Sequence, residues 1–154
     1  MKKILKSKYH DQKFITINDE KFEVKPLPVN DLWASVPRAD MHRNIPFYQP
    51  VKESIQKEGM HFPIMVYHAT RWEIIEQKKI WGNRIEPLPF DVTNTANHHI
   101  KIYVIWGGSN RWHIAKELGY DYVDCALMPS FKKAYALQKN FRMPYPKLYG
   151  GDPR

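Results

Sequence analysis

The residues whose types and spacing could do chemistry gather at Gly107-Gly108-Ser109-Asn110-Arg111. Two of the chain's seven glycines stand side by side there, between a β-branched apolar run and a segment of helical periodicity. A helix N-terminus presents outward-pointing backbone amides and the positive end of the helix dipole, and both attract anions. Glycine lets the backbone approach a phosphate closely, because no Cβ intervenes. Ser109 can cap the helix and offer its hydroxyl to a ligand oxygen. Arg111 brings a planar, permanently charged guanidinium that can grip phosphate through paired hydrogen bonds. The chemistry this predicts is phosphate binding. Without its neighbours, the same turn reads as a plain strand-to-helix connection with a serine cap and a surface arginine.

Other candidates carry less. His61 and His113 lie near the turn and could contact a phosphate or move a proton. His113 is the better of the two because it follows Arg111 on the same helix. Trp106 and Trp112 flank the motif and could stack on a base, although core packing is the commoner fate of tryptophan. Arg38, His42 and Arg43 fall in an irregular stretch and either reach the anion or stay solvated. His98-His99 in a strand would point to opposite faces, a poor chelating pair. The single cysteine, Cys125, excludes an internal disulfide and a cysteine-based zinc site, and its strand context predicts an inert buried thiol. No metal site built from protein ligands is predicted.

The elements that must position these residues are readable in order. Residues 1–13 form a basic arm expected to be loose. Phe22-Glu23-Val24-Lys25 alternates as a half-buried strand, which Pro26 and Pro28 should end. The stretch 36–49 is irregular, and a helix then runs from Pro50 to Gly59 with Val51 and Ile55 inward. Pro63 to Tyr67 reads as a buried strand. Thr70 and Glu73 have capping-box spacing for a helix reaching Trp81. Residues 83–99 look like a long loop. Ile100 to Trp106 is the clearest strand, rich in β-branched and aromatic residues. Ser109 to Leu118 follows as a helix stopped by Gly119, with Ile114, Ala115 and Leu118 inward. Tyr122 to Leu127 is another strand, Ser130 caps a last helix, and residues 145–154 form a loose tail. The fold class is α/β (α+β): a small mixed sheet with three or four helices, in one domain.

The 154 residues suffice for one core. No apolar run could cross a bilayer, and lysines interrupt the N-terminus too early for a signal peptide. A cytoplasmic protein is the expectation. Lys plus Arg outnumber Asp plus Glu by 24 to 16, a formal charge of +8 that favours anionic partners. The excess concentrates at Lys2, Lys3, Lys6, Lys8 and Lys13 and again in the C-terminal third. Such ends either keep the protein soluble or form a nucleic-acid footprint.

Taken together, the run Ile102 to Arg111, with His113, Ala115, Leu118-Gly119 and Val123, resembles the central signature of the ParB/sulfiredoxin superfamily: strand, Gly-x-x-Arg, an alanine-bearing helix ending in Leu-Gly, then a strand. Upstream, Ser54-Ile55, Gly59 and Pro63-Ile64-x-Val66 resemble its Ser-Ile, Gly and Pro-Ile-x-Val stretch. Downstream, Ala136 to Arg142 resembles imperfectly the ParB Glu-Asn-x-x-Arg box. The resemblance spans residues 22–142, with residues 67–99 as an insertion that could carry specificity or merely cap the sheet.

In that superfamily the Gly-x-x-Arg turn binds nucleotide phosphates: ParB proteins hydrolyse CTP, sulfiredoxin uses ATP to repair an oxidised cysteine, and relatives phosphorylate free serine. The resemblance implies a ParB N-terminal-like domain standing alone, with Gly107, Gly108, Ser109, Asn110 and Arg111 as its phosphate turn. Ser54, His113, Asn140 and Arg142 become further nucleotide contacts. The implied cofactor is a nucleoside triphosphate, with Mg2+ left open. NTP hydrolysis and phosphotransfer both fit, and no catalytic residue is assigned. The departures narrow this. Ser109 and Asn110 replace the Cys-His of sulfiredoxin, which removes sulfinic acid repair. No acidic residue precedes Arg111, Lys139 stands where ParB has glutamate, and Arg142 falls one position early, which counts against metal-assisted CTP hydrolysis. The chain ends at Arg154, so ParB's helix-turn-helix and dimerisation domains are not expected. A basic DNA-binding or nuclease-like module using the same pocket is the alternative, and an interaction protein with a vestigial pocket is a third.

Overall fold

Alternating burial lays down a seven-stranded mixed sheet. The computed structural model describes residues 2–17, 19–34, 48–81, 93, 96, 101–130 and 132–133. Its strands are β1 (Ile4–Leu5), β2 (Phe14–Ile17), β3 (Glu20–Pro28), β4 (Leu32–Ala34), β5 (Ile64–Thr70), β6 (Lys101–Gly107) and β7 (Tyr122–Met128). The helices are α1 (Tyr48–Glu58), α2 (Arg71–Trp81) and α3 (Ser109–Glu117), with a short 3-10 turn at Val29–Asp31. The sheet order is β2-β3-β7-β5-β6-β4, and β1 pairs with β7 in line with the start of β5. The α/β class with three helices therefore holds among the described residues. The rest of the expected last helix beyond Lys133, the expected tail, most of the expected 83–99 loop and the side chain of Trp106 lie outside them.

Each buried strand contributes to two cores. Ile64, Val66, Ile105, Val123 and Cys125 face one side, where Val51 and Ile55 of α1 and Trp112, Ile114 and Ala115 of α3 cover them. Met65, Tyr67, Val104, Ala126 and Met128 face the other, under Ile15 and Ile17 of β2 and Ile74 of α2. α1 and α3 run antiparallel: near the start of α1, the Tyr48 hydroxyl donates to Glu117 Oε2 at 3.0 Å and Lys52 Nζ lies 2.8 Å from Glu117 Oε1. Pairing the start of α1 with the end of α3 aims the N-terminus of α3 at the Gly59–Pro63 turn.

Several local signals work as their chemistry demands. Thr70 N donates to Glu73 Oε1 at 3.1 Å and Glu73 N donates to Thr70 Oγ1 at 3.3 Å, a reciprocal capping box at the head of α2. Lys133 N donates to Ser130 Oγ at 3.2 Å, the cap expected there. Gly119, at φ +79°, takes the left-handed conformation just past α3.

Two expectations are corrected. β3 does not end at Pro26 but runs to Pro28. Val24 N donates to Lys13 O at 2.8 Å, so the even-numbered amides of β3 point toward β2. β2 reaches only Glu23, so at Pro26 and Pro28 no ladder bond is lost on that side. The N-terminal arm is not loose. Ile4 and Leu5 pair with Tyr122 and Val123, Lys8 N donates to Met60 O at 3.1 Å, and Met60 N donates to Lys6 O at 3.1 Å.

Candidate functional site

The double glycine ends β6 and opens α3. Gly108 is the N-cap, at φ +108° and ψ 23°, a conformation in which any side chain would be strained. The first bond of the helix runs from Trp112 N to Gly108 O at 3.0 Å, so the amides of residues 109–111 point out of its N-terminal end. Among the described residues no side chain caps that end. Ser109, 6% exposed, keeps its Oγ buried with no hydrogen-bond partner among the described residues. An unsatisfied buried hydroxyl costs free energy on the order of 1–3 kcal/mol, and an anion oxygen arriving there would recover it.

Arg111 has a structural role that the sequence did not suggest. It is 3% exposed, and its Nη1 donates to Phe62 O and, at 3.4 Å, to Pro63 O. The guanidinium folds back on the turn so closely that a Cβ on Gly108 would stand 2.6 Å from Nη2. Gly108 is thus required twice, for its backbone angles and for the space the guanidinium fills. Arg111 ties the entry of β5 to the head of α3 and leaves a fixed positive charge beneath the turn.

Around this point stand residues from two other segments, the turn before β5 and the N-terminal arm. Ser54 is buried on α1, the helix that packs against α3. His61 is half-buried, its Nε2 3.7 Å from Glu58 Oε2. Burial holds the His61 pKa below its ordinary value, with Lys8 and Arg111 lowering it further and Glu58 opposing them. Lys8, exposed, belongs to the docked arm, and Tyr9 beside it stacks on Phe62 with ring centroids 5.9 Å apart.

Other candidates are placed differently. His113 is buried on α3, its ring 4.8 Å from that of Trp112. Trp112 is a core residue, not a platform for a base: its Nε1 donates to Val29 O at 2.9 Å and Lys116 Nζ covers the ring at 3.6 Å. Cys125 is fully buried and its thiol pKa is pushed up by burial and by Asp124, which leaves it inert. Asn140, Arg142, Arg38, His42, Arg43 and His98-His99 lie outside the described residues.

Sequence reasoning missed Asp124. It is 0% exposed in the central strand β7 and accepts from Ser7 N at 2.8 Å, from Ser7 Oγ at 3.1 Å and from His10 Nδ1 at 2.9 Å. A charge at that depth is tolerated only when paired and hydrogen-bonded. With the Ile4–Leu5 pairing and the Lys8 and Lys6 bonds to Met60, Asp124 holds the arm that carries Lys8. The available signal was an aspartate within the otherwise apolar strand Val123-Asp124-Cys125-Ala126.

A cleft of about 440 Å³ lies at the other end of α3, lined by Lys2, Asn30, Lys116, Tyr120 and Tyr122 among others. It is separated from the turn by the length of the helix and shares no residue with it. The buried hydroxyl and the outward amides mark the turn, not the cleft, as the candidate site. Among the described residues no cluster of three His, Cys, Asp or Glu side chains could hold a metal ion, and no helix is long and apolar enough to cross a membrane. In comparison with known proteins, no family model matches the chain and no curated protein matches it.

Proposed function

We propose that this protein is a nucleotide-binding domain of ParB/sulfiredoxin type that holds phosphate at the N-terminus of α3. The observation that carries the reading is the buried, unpartnered Ser109 hydroxyl beside the amides of an uncapped helix end. Gly108 and Ser109 form the cradle, and Arg111 holds it in shape while adding positive potential from beneath. A bound nucleoside triphosphate would bring the phosphoanhydride whose hydrolysis or transfer is the chemistry proposed. The chain's own part is to bind and orient the phosphates.

The test is the melting temperature of the purified protein with each ribonucleoside triphosphate, with and without Mg2+. A ligand that binds only the folded state raises it by mass action. A rise with one or more nucleotides that Ser109→Ala reduces supports the reading, and no rise with any of them contradicts it. Ser109→Ala is a cleaner probe than Arg111→Ala, because loss of Arg111 also removes its hydrogen bonds to the Phe62 and Pro63 carbonyls.

A second reading has its own observation. Lys2, Lys3, Lys6 and Lys8 are all exposed along the docked arm, a stripe that fits a nucleic-acid backbone. It predicts binding to DNA that falls steeply as salt rises, with one backbone phosphate at the same turn.

A further inference from the structure

We propose that the docked N-terminal arm completes the site, with Lys8 and His61 gripping a second phosphate of the ligand next to the one held at the head of α3. This inference rests on the phosphate-binding reading above and adds two residues to it.

The geometry is carried by the backbone. Residues 6–8 of the arm are laced to Met60 by reciprocal bonds, Lys8 N to Met60 O and Met60 N to Lys6 O, both 3.1 Å. Met60 precedes His61, and the next two carbonyls, Phe62 O and Pro63 O, receive the Arg111 guanidinium. Tyr9 closes the join by stacking on Phe62. Lys8, His61 and Arg111 thus belong to one interlocked rim around the turn. Helix geometry points the first amides of α3 toward it, and the buried Ser109 hydroxyl stands on that first turn without a partner.

Depth separates the roles. Gly108, Ser109 and Arg111 are buried, while Lys8 is exposed and His61 half-buried. The inner groups suit one desolvated phosphate, and the outer two suit its neighbour along a polyphosphate chain. Lys8 contributes a compact, flexible point charge that adapts to a chain of phosphates. His61 faces Lys8 on the arm, Glu58 on α1 and Arg111 on α3; burial first, and then the two cations, weaken its hold on a proton, with Glu58 opposing them. A polyanion placed among them offsets the two cations, so binding favours the protonated imidazole and strengthens as the pH falls.

The experiment is calorimetric titration of the full chain with ATP, CTP, AMP and CMP, for wild type, Lys8→Ala, His61→Gln and, as an exposed control on α1, Lys57→Ala. The expected result is that the wild type binds a triphosphate at least about tenfold more tightly than its monophosphate, and that Lys8→Ala removes about tenfold from triphosphate affinity alone. His61→Gln flattens the pH dependence of triphosphate binding, and Lys57→Ala changes nothing. Unchanged melting temperatures show that the variants fold. If the triphosphate binds equally well to wild type, Lys8→Ala and His61→Gln, the inference falls while the phosphate turn stands. If no nucleotide binds the wild type, both fall.

Discussion

At Gly108 two demands meet in one residue. Its φ of +108° excludes a side chain on conformational grounds, and the Arg111 guanidinium fills the space where a Cβ would go. Gly108→Ala is expected to cost about 2 kcal/mol or more from the backbone alone, with displacement of Arg111 adding to it. Thermal denaturation checks this, and a melting temperature equal to the wild type's would refute the double role. Arg111→Lys should also destabilise, since a lysine supplies one point charge where the guanidinium spans two carbonyls and the glycine face. His61 gives a pH signature. Its folded-state pKa lies below the unfolded one, so the folded state binds a proton less readily. The stability it contributes is complete above its ordinary value of 6.5 and declines as the pH falls through and below it. His61→Gln should lose less melting temperature than the wild type on acidification from about pH 7.5 to 5.5. An identical loss in both proteins would rule the histidine out as the cause.

Helices and strands separate what local chemistry determines from what distant partners determine. The capping box at Thr70 and Glu73 was legible in the sequence because both partners lie within one turn. Thr70→Ala is expected to cost about 1 kcal/mol, measurable by denaturant unfolding. The strand from Lys101 to Gly107 was equally legible, since β-branched and aromatic residues followed by double glycine leave few other readings. The passage of β3 through Pro26 and Pro28 was not, because it depends on β2 stopping short on one side. The docked arm was hidden for a related reason: lysines at its surface read as a solvated tail, while the carboxylate that pins it lies 117 positions away from Ser7. Asp124→Ala should free residues 5–10, seen as loss of amide-exchange protection there. It should also destabilise the fold by about 2 kcal/mol or more, because the Ser7 and His10 donors lose their acceptor. Retained protection along the arm would show that the strand pairing of Ile4–Leu5 holds it without the carboxylate.

Across the whole molecule, the sheet acts as a divider. One core carries the two helices that bear the site, and the other carries the β2 ribbon and α2. The arm, the turn before β5 and the head of α3 meet at one end of the sheet. The fold class was legible from the order of strands and helices, and the strand-to-helix turn at Gly107-Gly108 from the double glycine between them. The burial of that turn and the structural use of Arg111 were not, because both depend on a loop nearly 50 residues upstream, at Phe62 and Pro63. The same end of the sheet holds Lys8 of the arm and Arg111 of α3, in keeping with the overall excess of +8.

The most direct measurement is a backbone-amide NMR titration of the protein with a nucleoside triphosphate. The largest shifts are expected on Gly108, Ser109 and Asn110, with smaller ones at Lys8 and His61, all saturating together. Saturable shifts confined to the cleft around Lys2, Lys116 and Tyr120, or no shifts at any concentration, would contradict the phosphate-binding reading.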